Sequence, residues 1–245
     1  MTASNIPIVF LHGWAQSQQV WYQQRAQFPD ALFLNLPGHG GAADAPLDAW
    51  VDTIAGQLPE QPCLLVGWSL GGMLAMQIAT ALPERITALA LISTTPQFKA
   101  SDEWPHGSSD ELFEGFRQAV SSGSPKALNR FFSLMLHGDA ITRSDYNTIA
   151  KAAVDREHRV SQSGLKLGLA LLEQLDLRSA ATEITQPTLL MHGDSDAVIP
   201  IQAGHWLAKR CASQQQQFFN NCGHAPFLTQ AAAFNQTLHT WWQQQ

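Results

Sequence analysis

The chain has 245 residues, of which 45% are hydrophobic and 9% aromatic, a composition that fits one large globular domain or two small ones. The formal net charge of −6 argues against nucleic acid as the main partner, and no run of 18 apolar residues predicts a membrane span. Three cysteines without CxxC spacing, and a beginning without a charged and apolar leader, predict a protein of the reducing cytoplasm with no disulfide framework.

Short apolar runs bounded by glycine and proline recur along the chain and predict strands that are buried on both faces. These runs are 6–11, 31–36, 63–67, 86–93, 188–192 and a weaker one at 216–220. Helical periodicity lies between them, at 47–58, 70–82, 201–210 and 231–242. Strands that alternate with helices predict an α/β fold with a mostly parallel central sheet flanked by helices.

The alternation breaks after the fourth predicted strand. Four helical stretches follow one another there, at 111–121, 125–136, 145–154 and 163–175. Helices inserted after a sheet strand predict a lid over the sheet. We therefore expect a core formed by 1–96 and 185–245 and a helical cap formed by 97–184.

The predicted cap is basic within an otherwise acidic chain. Between positions 117 and 166 there are eight lysines and arginines and four acidic residues, so this stretch carries +4 and the remainder −10. An ordinary solvated helical surface and a docking face for an acidic partner both account for the pattern.

The strongest chemical signal is the segment 67–71 (GWSLG), which matches G-x-S-x-G. An apolar strand precedes it and an amphipathic helix follows it, which is the setting of a nucleophile elbow. The glycines on either side leave room for the sharp turn. We predict that Ser69 is a nucleophile, against the alternative of a plain helix-capping serine.

A serine nucleophile needs a base, and an imidazole base needs an acid that fixes its tautomer. His224 lies on a loop between the last predicted strand and the last helix, whereas His205 and His239 lie within helices. Asp194 and Asp196 both follow the fifth predicted strand. We predict Asp196 as the acid, because a loop begins directly after it, and Asp194 as a turn residue.

The oxyanion of an acyl-transfer reaction needs two backbone N–H groups. Leu70 follows the nucleophile, and Trp14 lies in the loop after the first strand, where His12 is expected to brace the chain. The sequence has no HExxH, CxxC or Walker motif, so it predicts neither a metal site nor a nucleotide cofactor.

Five segments, LHGW, LPGHG, GWSLGG, GDSDAVIP and GHAPF, occur in this order, and with them nearly the whole chain resembles the α/β-hydrolases. DEWP at 102–105, LDLR at 175–178 and HAPF at 224–227 narrow the resemblance to the BioH-type esterases, which act on the methyl ester of pimeloyl-[acyl-carrier protein] in biotin synthesis. In one departure, only a few residues precede the first strand, where the family has a strand hairpin. An exposed sheet edge is therefore expected.

The resemblance implies a serine carboxylesterase without a cofactor that releases methanol and a free carboxylate. It implies that an acyl chain runs under the cap, although simple packing accounts for apolar cap residues equally well. The resemblance implies that the acyl chain is lined by Trp14, Phe131, Phe132, Leu134 and Met135.

The resemblance also implies that the acidic acyl-carrier protein docks on basic cap residues. The positions that match are Lys126, Arg130 and Arg143, whereas Asn147 stands where a further positive charge is expected. We expect a monomer that binds neither nucleic acid nor a membrane.

Other functions on this fold remain open. A general short-chain carboxylesterase, a thioesterase or a carbon–carbon bond hydrolase would use the same three side chains, and a lyase of menaquinone synthesis carries a similar elbow. A haloalkane dehalogenase is disfavoured because the nucleophile position is Ser69 rather than an aspartate. A non-catalytic binding protein is disfavoured because all three predicted catalytic residues are present.

Overall fold

A six-stranded parallel sheet organises the molecule, which we describe from a computed structural model covering residues 6–123, 125–211 and 213–245. The side chains of 125–129 and 213–214 lie outside this description. The strands are β1 (Ile8–Leu11), β2 (Leu32–Leu34), β3 (Cys63–Trp68), β4 (Ile86–Ile92), β5 (Thr188–Gly193) and β6 (Ser213–Phe219). Their order across the sheet is β2-β1-β3-β4-β5-β6, and every neighbouring pair is parallel.

Helices connect the strands in chain order. They are α1 (Tyr22–Arg25), α2 (Trp50–Ala55), α3 (Leu70–Ala81), α4 (Asp110–Ser122), α5 (Pro125–Met135), α6 (Arg143–Ala153), α7 (Gln162–Gln174), α8 (Arg178–Glu183), α9 (Ile201–Arg210), α10 (Pro226–Thr229) and α11 (Ala231–Trp242). Among the helices described, none has the length and apolar character that crossing a bilayer requires.

Three of the four interior strands are buried along their whole length. Each residue of β1, β3 and β5 is buried, because parallel strands carry helices on their faces. Helix α3 packs against β3 and β4, and α9 packs against β5 and β6. The predicted α/β fold with a parallel central sheet is confirmed.

Strand β2 forms one edge of the sheet. Leu32 on this strand is 41% exposed, whereas its register neighbour Val9 on β1 is fully buried. The guanidinium of Arg25 lies 4.4 Å from the ring centre of Phe33 and covers part of the edge with charge. A cation near an edge strand opposes pairing with another chain.

The helices α4 to α7 follow β4 and precede β5 along the sequence, and α4 and α6 begin at clear capping residues. Ser109 accepts a hydrogen bond from Leu112 N at the start of α4, and Gly123 ends that helix with a positive φ of 60°. Thr142 and Asp145 form a capping box at the start of α6. We refer to α4–α7 as the inserted helices.

Candidate active site

Ser69 lies in a strained turn between β3 and α3. Its φ of 55° and ψ of −121° belong to a backbone region that residues other than glycine rarely adopt. A hydrogen bond of 3.0 Å from Ser69 N to Ile92 O and one of 2.7 Å from Thr94 Oγ1 to Ser69 O hold the turn. The turn therefore places the hydroxyl at the carboxyl end of the central strands.

The glycines beside Ser69 are required by close backbone contacts. A Cβ on Gly67 would lie 2.5 Å from Gly71 O, and one on Gly71 would lie 2.6 Å from Leu11 O. No rearrangement of a side chain could relieve these contacts, because the opposing atoms belong to the backbone. The sequence reason for both glycines is therefore steric.

His224 is buried in the loop before α10, and three hydrogen bonds fix it. Its N–H donates to Met135 O at 2.8 Å, its carbonyl accepts from Trp68 Nε1 at 2.9 Å, and its Nδ1 lies 2.7 Å from Asp196 Oδ2. The ring is 5.3 Å from that of Trp68, the residue before Ser69. The buried Nε2 of His224 has no hydrogen-bond partner among the described residues.

The carboxylate of Asp196 is completely buried and accepts on both oxygens. Oδ1 accepts from the N–H groups of Val198 and Ile199 at 2.8 and 2.9 Å, and Oδ2 faces His224 and also His192. Burial by itself would raise the pKa of Asp196, but the two facing imidazoles outweigh it and hold that pKa well below its usual range. Asp196 is therefore an anion at neutral pH.

Asp194 has a different environment. Its Oδ1 accepts from Ser195 Oγ at 2.9 Å and from Cys222 N at 3.3 Å, which ties the loop after β5 to the loop that carries His224. Asp194 was expected to accept from the backbone of its own turn, and that expectation is wrong: Asp196 makes such contacts, with Val198 N and Ile199 N, whereas Asp194 joins two loops.

The segments that carry the two predicted oxyanion donors lie next to Ser69. Leu70 is the first residue of α3, where the backbone N–H groups have no partner within the helix and the helix dipole is positive. A Cβ on Gly13 would lie 3.1 Å from Ser69 Cβ, so the loop that carries Trp14 passes over the nucleophile.

Trp14 joins this loop to the inserted helices. Its indole Nε1 donates to Leu165 O of α7 at 2.9 Å. Its ring lies 5.3 Å from Phe116 of α4 and 5.2 Å from Phe131 of α5. Trp14 and Phe131 were expected along the acyl path, whereas Phe116 was not, because helical periodicity alone marks it only as a buried position.

Two buried histidines brace the loops next to Ser69. His12 Nδ1 is 2.8 Å from Gly13 O and its Nε2 accepts from Leu36 N at 3.1 Å, while His39 Nδ1 is 2.8 Å from Pro37 O and its Nε2 accepts from Ala15 N at 3.3 Å. In both rings Nδ1 is the donor and Nε2 the acceptor, so both are neutral.

The electrostatic environment agrees with neutral rings. Burial and the nearby ring of His39 lower the pKa of His12 to about 3, and burial lowers the pKa of His39 to about 4. The bracing contact expected of His12 is present, and the matching contact of His39 was not foreseen.

Apart from Trp14, the other four residues expected along the acyl path lie in different surroundings. Phe131 and Leu134 line a cavity of about 700 Å³ between α4 and α5, together with Phe116. Phe132 lines a separate cavity of about 390 Å³ between α5 and α6. Met135 is fully buried, and its carbonyl accepts from His224 N.

The basic residues expected to dock a carrier protein lie on α5 and α6. Arg130 is exposed and lines both cavities, and Arg143 is exposed at the first position of α6. The side chain of Lys126 lies outside the described residues. Arg156, one of the eight basic residues between 117 and 166, lines the smaller cavity with Arg130.

No group of three or more His, Cys, Asp or Glu side chains in the described part of the chain is arranged to hold a metal ion. The chemistry that the site can perform with its own side chains is nucleophilic attack by a serine with an imidazole as proton acceptor.

Comparisons with known proteins agree with this geometry. The family model for the alpha/beta hydrolase fold matches residues 6–231. A protein of Aromatoleum aromaticum named pimeloyl-[acyl-carrier protein] methyl ester esterase is 36% identical over 232 residues, covering 91% of this chain and 92% of the relative. A protein of the same name from Nitrosomonas europaea is 33% identical over 235 residues, with 93% and 92% covered.

Solved structures share the fold at lower identity. An esterase from Exiguobacterium antarcticum superimposes with a TM-score of 0.85 at 22% identity, covering 98% of this chain and 92% of that one. MenH from S. aureus superimposes with a TM-score of 0.75 at 20% identity, covering all of both chains. The chain therefore belongs to the α/β-hydrolase family and, within it, to the family of the pimeloyl-[acyl-carrier protein] methyl ester esterases.

Proposed function

We propose that this chain is a serine carboxylesterase that hydrolyses the methyl ester of pimeloyl-[acyl-carrier protein] in biotin synthesis. The observation that carries the proposal is the His224 imidazole, which is bound to Asp196 at 2.7 Å through Nδ1 and whose buried Nε2 meets no hydrogen-bond partner in the part of the chain that the structure describes. An imidazole held in this way is ready to accept a proton at Nε2. The shared name of relatives at 33–36% identity supports the substrate.

The proposed reaction has two halves. Ser69 Oγ attacks the ester carbonyl carbon as its proton passes to His224 Nε2. The bond from the carbonyl carbon to the methoxy oxygen then breaks, that oxygen takes the proton from His224, and methanol leaves an acyl-serine. Water attacks the acyl-serine, gives a proton to Nε2 and releases a free carboxylate as Ser69 Oγ regains its proton.

Two backbone donors would stabilise the negative oxygen of both tetrahedral intermediates. The N–H groups of Leu70 and Trp14 fill this role in the proposal. Donors of this kind contribute about 10²–10³ each in rate. The loop carrying Trp14 lies next to Ser69 at Gly13, and a hydrogen bond from Trp14 Nε1 to Leu165 O holds this loop against α7.

We propose that residues 97–184 act as a lid and that the core consists of 1–96 and 185–245. The acyl path would be the cavity between α4 and α5, which Phe116, Phe131 and Leu134 line. Its volume of about 700 Å³ lies in the range of cavities that bind small-molecule ligands, and this supports a role in holding the pimeloyl chain. Phe132 and Met135 would support the wall from behind rather than line it.

The acidic carrier protein would dock on α5 and α6. Arg130 and Arg143 would supply the charge, with Lys126 on the same helix as Arg130. Arg156, which lines the same cavity as Arg130, would add a further cation, whereas Asn147 supplies none. Opposite charges of this kind raise the rate of encounter and fix orientation.

The decisive experiment compares two substrates. The purified protein should give a kcat/KM for pimeloyl-carrier methyl ester about tenfold or more above that for p-nitrophenyl butyrate. The Ser69→Ala variant should be inactive on both. Rescue of a biotin-requiring bacterium that lacks its own pimeloyl-ester esterase provides the same test in cells.

The alternatives predict other outcomes of this comparison. A general short-chain carboxylesterase would prefer the small ester, and a thioesterase would release the acyl chain from the carrier rather than methanol. A non-catalytic protein would leave Ser69 unreactive toward a fluorophosphonate. The proposal also includes action in the cytoplasm, a monomeric state and no affinity for nucleic acid. The cytoplasmic location is supported by three buried cysteines that form no disulfide.

A further inference from the structure

A second histidine faces the same carboxylate oxygen as His224. His192 is the penultimate residue of β5 and is 2% exposed. Its Nε2 lies 3.2 Å from Asp196 Oδ2 and 3.0 Å from Ile199 O. Both facing atoms are acceptors, so Nε2 of His192 carries the hydrogen; it donates to Ile199 O, and Asp196 Oδ2 is a second, more distant acceptor facing the same N–H.

The carboxylate of Asp196 is consequently surrounded by donors. Oδ1 accepts hydrogen bonds from two backbone N–H groups. Oδ2 lies 2.7 Å from His224 Nδ1 and 3.2 Å from His192 Nε2. Each hydrogen bond to an anion withdraws charge from it. The strength with which Asp196 orients His224 therefore depends on the donor that His192 supplies to the shared oxygen.

We propose that His192 is a positioning residue, which acts through Asp196 to set the basicity and orientation of His224. The inference rests on the proposed function, because it assigns a role in that same reaction. His192 itself touches neither the nucleophile nor the substrate in this role.

The ring of His192 packs closely against the backbone of α9 at Gly204. A Cβ on Gly204 of α9 would lie 2.8 Å from His192 Nδ1, so a side chain there would displace the imidazole. A purely apolar packing position would not need a polar ring, whose burial costs free energy unless it is hydrogen-bonded. The alternative is that His192 only ties β5 to the turn at Ile199, and the test must separate the two roles.

Other ionisable groups also act on this site. Asp139, in the loop after α5, and the buried thiol of Cys222 both interact electrostatically with Asp196. Burial raises the pKa of Asp139 above its usual value. Neither group is altered in the variants below, so their contribution cancels in the comparison with the unaltered protein.

The test uses His192→Phe, which removes the donor and keeps a planar ring, and His192→Gln, which restores an N–H near the position of Nε2. The readout is the rate at which a fluorophosphonate labels Ser69, measured against pH. Without the second donor, Asp196 attracts the protonated form of His224 more strongly. The acid limb of the profile in His192→Phe should therefore move to higher pH by about one unit.

The kinetic constants give a second readout. With p-nitrophenyl butyrate, kcat in His192→Phe should fall about tenfold while KM stays unchanged, as expected when a group that orients a catalytic residue is lost. His192→Gln should return both the acid limb and kcat toward the values of the unaltered protein. An acid limb that stays in place while the melting temperature falls would show a structural role only and overturn the proposal.

A milder variant covers the case in which His192→Phe does not fold. Gly204→Ala pushes on His192 Nδ1 and should move the acid limb in the same direction by a smaller amount. Gly56→Ala at the exposed end of α2, whose added Cβ meets only the backbone of its own helix, is the matched control and should leave the limb in place. An unmoved limb in Gly204→Ala would contradict the inference.

The low-field NMR signal of the proton on His224 Nδ1 distinguishes failure of this inference from failure of the proposed function, because it needs no reaction. If Ser69 in the unaltered protein does not react with the fluorophosphonate, the esterase proposal fails, and this signal still decides the role of His192. The signal should shift in His192→Phe and return in His192→Gln. A signal that is the same in all three proteins would overturn the inference.

Discussion

At the scale of single residues, Ser69 combines reactivity with backbone strain. Its φ of 55° is imposed by the turn from β3 into α3 and not by its side chain. Strain of this kind costs about 1–3 kcal/mol and persists only where surrounding contacts enforce it. The hydrogen bonds from Ser69 N to Ile92 O and from Thr94 Oγ1 to Ser69 O provide that enforcement.

The strain leads to a prediction about two inactive variants. Ser69→Ala and Ser69→Gly should both lower kcat by about 10⁴–10⁶, because each removes the nucleophile. Ser69→Gly should be the more stable of the two by about 1 kcal/mol, because glycine adopts this φ without strain but loses more entropy on folding. Thermal unfolding of both variants measures the difference. An alanine variant that melts higher would show that the turn is not strained.

At the scale of elements, the inserted helices meet the core at the residues of the candidate site. Trp14 binds Leu165 of α7, and His224 N binds Met135 O at the end of α5. Asp139 after α5 accepts a hydrogen bond of 2.5 Å from Thr229 of α10. The helices that would bind the acyl chain are therefore joined by hydrogen bonds to the loops that carry the oxyanion donor and the base.

The exposed cations on α5 and α6 give a prediction at this scale. Combined charge reversal at Arg130 and Arg143 to Glu should raise KM for the carrier-bound ester about tenfold or more and leave p-nitrophenyl butyrate unaffected. The effect should shrink as salt is raised, because exposed charges are screened. Steady-state kinetics at two ionic strengths measure both effects.

The matched control for this charge reversal is Lys209→Glu on α9, which changes an exposed cation outside α5 and α6. It should leave both substrates unaffected. Equal losses on the two substrates in the Arg130 and Arg143 variant would show that these residues serve the fold instead of docking.

At the scale of the whole molecule, acid stability should depend on the buried neutral histidines. The pKa of His12 is lowered to about 3 and that of His39 to about 4, whereas an unfolded histidine has a pKa of 6.5. Between about pH 6.5 and 4 the unfolded chain therefore binds more protons than the folded one. The free energy of unfolding must fall as pH falls through this window, by about 1.4 kcal/mol per pH unit for each histidine.

His39→Gln tests this dependence, because its amide oxygen can accept the hydrogen bond from Ala15 N without titrating. The slope of unfolding free energy against pH should become shallower by about 1.4 kcal/mol per unit between pH 6 and 4.5. Urea unfolding at several pH values measures the slope. His137→Gln, at an exposed position, serves as the control, and an identical slope in both variants would contradict the assignment.

The periodicity of the sequence determined most elements, because strands buried on both faces and amphipathic helices leave a local signature. Helix α9 begins and ends where predicted, and α3 ends one residue earlier. Strand β6 was placed at 216–220 but runs from Ser213 to Phe219, since its glutamine-rich start has no apolar pattern and pairs with β5 at the end of the sheet. The four-residue helices α1 and α10 were not predicted because about one turn carries no periodicity, and the six-residue α8 was not predicted either.

The sequence by itself also determined which residue types could react, since the elbow around Ser69 is a local motif and His224 follows it in the order expected of this fold. Only the tertiary structure decided which groups meet at Asp196, because hydrogen bonds between β5, the loop after it and the His224 loop join distant parts of the chain. For the same reason His192, His39 and Phe116 acquired a role only when the chain was folded. Spacing along a chain encodes local geometry, whereas contacts between loops depend on packing across the whole sheet.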